Sequence, residues 1–169
     1  EAGSPNVLGA IALAAACATL REHRRLVTHR EEDLTERLVA GLRAIDGVET
    51  FSIFGEDHDR APVVSFVIDG LEPGLVSAAL SAEHAIAVRD GKFCAHLLVD
   101  ALLEDAGVEA RSAVRVSAGL ANTDEHIERL LAAVESLATR GPRAAYHVVE
   151  GEGWVPVEDP RDLSVTLPW

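Results

Sequence analysis

The sequence contains no methionine, not even at its first position. Its opening reads as the end of a loop feeding a helix, so the expectation is a processed chain or a piece of something longer. Long apolar runs are also missing. No window approaches the roughly 18 uninterrupted apolar residues of a membrane-spanning helix, which excludes a membrane span. The first residues, Glu1-Ala2-Gly3-Ser4, carry no basic region and so do not form a secretion signal. Positive charge is scarce: 15 Lys and Arg stand against 28 Asp and Glu, a formal net charge of −13. A nucleic-acid surface needs clustered Lys and Arg, so no nucleic-acid partner is expected. Two cysteines, Cys17 and Cys94, cannot make a zinc site by themselves, and the compartment reads as reducing and cytoplasmic. A Rossmann fold is disfavoured because no G-x-G-x-x-G follows a strand.

What is present is the composition of a soluble globular protein, 48% hydrophobic and 25% charged, long enough for one domain with or without a tail. Ser4-Pro5 predicts a helix start, Ser4 as N-cap, with an alanine-rich helix over Val7 to Leu20 suited to close packing and Cys17 in its core face. A second helix is predicted over Glu31 to Ile45, with Leu34, Leu38, Leu42 and Ile45 on one face and Gly47 beyond its end. Strands are predicted at Val48 to Phe54, Pro62 to Asp69, Ile86 to Arg89 and Val114 to Ala118. Further helices follow Pro73 and Cys94. A last helix presents Ile127, Leu130, Leu131, Val134 and Leu137, capped by Asn122 with Glu125 reaching back. Tyr146 to Val157 reads as a hairpin and Glu158 to Trp169 as an extended tail. The order predicts an α+β fold, a small mostly antiparallel sheet covered on one face by helices.

Chemistry concentrates in Ala87-Val88-Arg89-Asp90-Gly91-Lys92-Phe93-Cys94-Ala95-His96. Cys94 follows a glycine turn, lies between cationic side chains and a histidine, and precedes a helix N-terminus. Cations and a helix dipole favour the reactive thiolate. The competing reading makes Cys94 a small buried hydrophobe. Arg115, in the strand Val114-Arg115-Val116-Ser117, needs an anionic partner or an exit to solvent; its fork suits a carboxylate, from a ligand or from a structural ion pair. Gly3-Ser4-Pro5 offers a hydroxyl and free N–H groups to an anion. The segment Glu56-Asp57-His58-Asp59-Arg60 reads as a solvated loop. His84, His96, His126 and His147 have no metal-like spacing.

Together these pieces resemble one family, the fold-type I pyridoxal-phosphate enzymes of the class V aminotransferase group, and among them the cysteine desulfurases. Glu1-Ala2-Gly3-Ser4-Pro5-Asn6 resembles the family's E-A-G-T-P-N loop, whose hydroxyl reaches the cofactor phosphate. Ala87 to His96 resembles A-V-R-x-G-x-x-C-A-Q, which carries the persulfide-forming cysteine. The strand bearing Arg115, followed by Asn122-Thr123-Asp124-Glu125, resembles R-x-S…N-T-x-E-E, whose arginine binds the substrate carboxylate. Lys92-Phe93 departs from the frequent His-His, and His96 stands in place of Gln.

The resemblance implies pyridoxal 5′-phosphate as cofactor, Cys94 as catalytic residue, Arg115 and Arg89 as substrate-binding residues, and Gly3 and Ser4 as cofactor contacts. It implies L-cysteine as substrate, a homodimer in the intact enzyme and a sulfur-acceptor protein as partner. The family's Schiff-base lysine motif is absent, since the only lysine is Lys92. The chain is therefore expected to be the C-terminal small domain of such an enzyme: residues 1–25 a bridging helix, 26–140 the α+β domain and 141–169 an extension. By itself it is expected to be inactive. Alternatives are a class V aminotransferase, lyase or epimerase acting on another amino acid, or a non-catalytic assembly module.

Overall fold

A computed structural model describes residues 3–54, 58–159 and 161 of the chain. Glu1 and Ala2 of the first motif, Glu56 and Asp57 of the charged loop, and most of the predicted tail lie outside the described residues. The elements run α1 (Val7–Glu22), α2 (Arg24–Arg43), β1 (Val48–Phe51), β2 (Val63–Ile68), α3 (Pro73–His84), β3 (Arg89–Gly91), α4 (His96–Asp105), β4 (Ala113–Ser117), α5 (Asp124–Arg140), β5 (Tyr146–Val149) and β6 (Gly153–Pro156).

Strands β1 to β4 form one antiparallel sheet in the order β1-β2-β4-β3, and β5 pairs with β6 as a separate hairpin. Alternation along the strands divides the sheet into two faces. Val64, Phe66 and Ile68 of β2 and Val114 and Val116 of β4 point to the first face. There they pack with Leu34, Leu38 and Leu42 of α2, Val76, Ala79 and Leu80 of α3, and Ile127, Leu130, Val134 and Leu137 of α5. Each large apolar side chain so buried stabilises the fold by about 1.5–3 kcal/mol. The second face is partly covered by α4: Val67 and Ala113 pack with Val99 and Leu103.

The architecture is the expected α+β layer, with several local corrections. Ser4 does not cap α1; the cap is Asn6, whose Oδ1 accepts from the Gly9 N–H at 2.9 Å, and Asn competes equally well for that position. No residue of α1 is buried, so Cys17 is exposed and not a core residue: among the described residues the main packing of α1 is its junction with α2. Strand β3 begins at Arg89, because the Ile86 N–H is spent on the Leu80 carbonyl in closing α3. Helix α5 is capped by Thr123, with His126 completing the capping box, while Asn122 Oδ1 accepts from the Gly119 N–H instead.

After α5, the chain folds back onto α3. Glu83, its side chain only 6% exposed, accepts from the Arg143 and Ala144 N–H groups, the Arg143 guanidinium and the Tyr146 hydroxyl. Burial resists ionisation of this carboxyl, yet those donors hold it below the usual glutamate range. Burial, and after it the same contact, push Tyr146 up to about 12. Trp154 of β6 lies against Gly74, where an added Cβ would meet its ring at 2.9 Å.

Candidate active site

Gly91 ends β3 with φ +110°, and the chain then turns sharply between Lys92 and Ala95, closed by the Ala95 N–H on the Lys92 carbonyl at 2.8 Å. Both central residues are left-handed, Phe93 at φ +54° and Cys94 at φ +60°. Neither is glycine. A left-handed L-residue costs about 1–2 kcal/mol, and such strain persists only where surroundings over-determine it. Three contacts do so here. The Phe93 ring packs onto the second-face cluster of Val67, Val99, Leu103 and Ala113. Lys92 is ion-paired with Asp100 of α4 at 2.5 Å. Ala95 serves as the N-cap of α4, and its carbonyl accepts from Val99 at 2.9 Å.

Cys94 is exposed, which removes the buried-hydrophobe reading. It stands one residue before the cap of α4, at the positive end of that helix's dipole. Lys92, expected beside the thiol, is engaged by Asp100. His96 is the exposed first residue of α4.

The sheet supplies the rest. Arg115 of β4 stands directly opposite Arg89 of β3, and on its other side opposite Ser65 of β2. Residues paired across strands share a face, so both arginines lie on the second face, with Phe93. Like charges in register disfavour each other, and neither arginine forms an ion pair among the described residues. Arg115 instead lies over the Phe93 ring, its Cζ 5.1 Å from the centroid, with Nε buried and unpartnered. An open sheet face that carries two unpaired guanidinium groups is disposed to receive an anion.

Of the predicted site residues, the structure thus groups Arg89, Arg115 and the turn bearing Cys94. Gly3 and Ser4 are exposed in the segment before α1 and form no hydrogen bond with that group. Phe93 is a site residue that sequence reasoning misses. The signal available is one aromatic residue in an otherwise polar loop. Two clefts lie elsewhere: one of about 640 Å³ between α3 and the hairpin, and one of about 440 Å³ beside α2, lined by Glu31, Glu36 and Arg60. Neither includes Cys94, Arg89 or Arg115, so the candidate site is an open surface defined by its chemistry.

The sequence model of the family described as aminotransferase class-V matches residues 1–130, and the chain belongs to that family. Within it, the chain is 38% identical over 135 residues to a probable cysteine desulfurase of Xylella fastidiosa, covering 79% of this chain and 30% of the relative. A probable cysteine desulfurase of Pseudomonas aeruginosa is 41% identical over 138 residues, covering 80% and 31%. Among solved structures, the apo cysteine desulfurase of Thermococcus onnurineus NA1 superposes with a TM-score of 0.65 at 33% identity, over 82% of this chain and 32% of that one. The chain spans about 30% of the length of the curated relatives it matches.

The family implies pyridoxal phosphate, and the described residues test how much of such a site is here. Ser4 and the N-terminus of α1 could contribute to a phosphate cup. The only lysine, Lys92, is tied to Asp100 on the cysteine turn. These residues do not form a site for the cofactor by themselves.

Proposed function

We propose that this chain supplies the sulfur-accepting and carboxylate-binding part of a cysteine desulfurase acting on L-cysteine. The carrying observation is the contact between the Arg115 guanidinium and Phe93, the residue joined to the exposed Cys94 in a strained turn. In this reading Arg115, with Arg89 opposite, holds the substrate carboxylate and so fixes where the substrate sulfur lies. The Cys94 thiolate then attacks that sulfur. The S–S bond between Cys94 Sγ and the substrate sulfur forms as the substrate C–S bond breaks. The electron pair of the broken bond stays with the β-carbon, which takes up a proton to become the methyl group of alanine, and Cys94 is left as a persulfide. Gly3 and Ser4 contribute to holding the cofactor phosphate in the intact homodimer, and a cytoplasmic acceptor protein removes the sulfur. Residues 1–25 act as the bridging helix, 26–140 as the small domain and 141–169 as an extension of it.

The test uses the chain itself. Iodoacetate and iodoacetamide alkylate the same thiolate, and only the first carries a carboxylate. With Cys17 as internal standard, iodoacetate is expected to gain at Cys94 over iodoacetamide by roughly fivefold, the ~1 kcal/mol of a unit charge pair about 4 Å apart in water. Arg115→Gln should remove that gain, and 1 M salt should shrink it. An unchanged reagent preference in Arg115→Gln overturns the reading. In the intact enzyme, Cys94→Ala should abolish alanine formation from cysteine. Normal desulfuration by that variant would overturn the role given to Cys94. Turnover of other amino acids by transamination, lyase or epimerase chemistry, unaffected by Cys94→Ala, would favour those reactions instead.

A further inference from the structure

We propose that Phe93 is a positioning residue that couples carboxylate binding at Arg115 to the reactivity of Cys94; this deepens the reading above and rests on it. Three observations meet at this one side chain. Its backbone is left-handed, a conformation a bulky residue rarely adopts, and it shares the turn with Cys94. Its ring is anchored between the sheet and α4 on Val67, Val99, Leu103 and Ala113. Its face carries the Arg115 guanidinium at 5.1 Å.

The chemistry of that last contact is what makes Phe93 more than packing. A ring face attracts a cation electrostatically without consuming any of its N–H donors. Arg115 is thereby located on the sheet while its Nε stays without a protein partner. A carboxylate at residue 93 would locate the guanidinium equally well but would neutralise it and occupy its fork. An aliphatic residue would leave the fork free but would not locate it. An aromatic ring does both, and its own backbone is continuous with the nucleophile. A carboxylate that docks on Arg115 must therefore act on the Phe93 contact, and through the turn on Cys94.

The experiment measures iodoacetamide alkylation of Cys94 in the 169-residue chain with and without propionate, a non-reacting carboxylate, Cys17 again serving as standard. Propionate neutralises a cation near the thiolate and should slow Cys94 by about twofold or more while leaving Cys17 unchanged. Phe93→Leu should abolish that response although Arg115 remains, and Phe93→Tyr should restore it. In the parent chain, the Arg115 side-chain protons should show upfield ring-current shifts that Phe93→Leu removes and Phe93→Tyr keeps. A full propionate response in Phe93→Leu overturns the coupling, as does a Phe93→Tyr response as small as that of Phe93→Leu. Loss of the response in Arg115→Gln while Phe93→Leu retains it would leave the functional reading intact and end only this inference. Persistence in Arg115→Gln would end both.

Discussion

The two faces of the four-stranded sheet are drawn from alternate residues of the same strands, yet they are finished in opposite ways. On the first face, Val64, Phe66, Val114 and Val116 are sealed beneath three helices. On the second, a single helix covers one end, and the rest presents Arg89, Arg115 and a turn with two left-handed non-glycine residues. Stability resides on the first face and unspent chemistry on the second. The difference shows where each kind of substitution should hurt.

The largest expected effect tests the first face. Phe66→Ala empties the centre of the main core and should cost about 3–5 kcal/mol in urea unfolding. Phe93→Ala removes the same ring from the second face, where the side chain is only partly buried, and should cost much less. Equal losses would break the comparison.

Next comes the attachment of the hairpin to α3, an outgrowth of the closed side. Glu83→Gln keeps shape but weakens acceptance from Arg143, Ala144 and Tyr146, and should cost about 1–3 kcal/mol. The pH dependence has two limbs. The folded Glu83 pKa is depressed, so its contribution is fully present above the ordinary value near about 4.3 and is lost as pH falls through the lower folded value. Tyr146 is raised, so its contribution is present below the ordinary value near about 10 and is lost as pH rises to about 12. In Glu83→Gln the acid limb should disappear, and the alkaline limb should shrink but persist because burial still acts on Tyr146, when melting is followed across pH.

Much of this arrangement is legible in the sequence, for reasons that also explain the omissions. Helices α3 and α5 carry strong end signals, Pro73 in the one and Gly141 in the other, and their apolar faces repeat at helical spacing. The α1 cap differs from the expected one because Ser4 and Asn6 are equally competent caps two residues apart. Cys17 is exposed against expectation because alanine-rich periodicity marks a face suited to packing, not the presence of something to pack against. Cys94 and Arg115 stand out by their chemistry. Phe93 does not, because its contact with Arg115 joins a turn to a strand across the fold, and its left-handed backbone has no signature in residue type.

The strain at Cys94 gives a smaller effect of the opposite sign. Cys94→Gly fits φ +60° at no steric cost, but adds freedom to the unfolded chain. The balance of about 1–2 kcal/mol relieved against about 0.4–1 kcal/mol lost predicts a gain of roughly 0.5–1 kcal/mol while the thiol disappears. A loss of stability would mean that the turn is not strained and that the second face is finished like the first.

The smallest expected effect is the most discriminating. An arginine held by ion pairs destabilises a protein when it is removed, because its partners are left unpaired. Arg115 has no such partner among the described residues: its Nε is buried without a hydrogen bond, and Arg89 opposes it with like charge. Arg115→Leu removes an unsatisfied buried donor and a repulsion, at the loss of one cation–π contact of about 0.5–1 kcal/mol. Melting should therefore shift by no more than about 0.5 kcal/mol in either direction, while the iodoacetate preference at Cys94 vanishes. That pairing of outcomes, no effect on folding and a lost reagent preference, is what the proposed carboxylate-binding role of Arg115 requires. A large destabilisation in Arg115→Leu would instead place Arg115 among the groups that hold the sheet together.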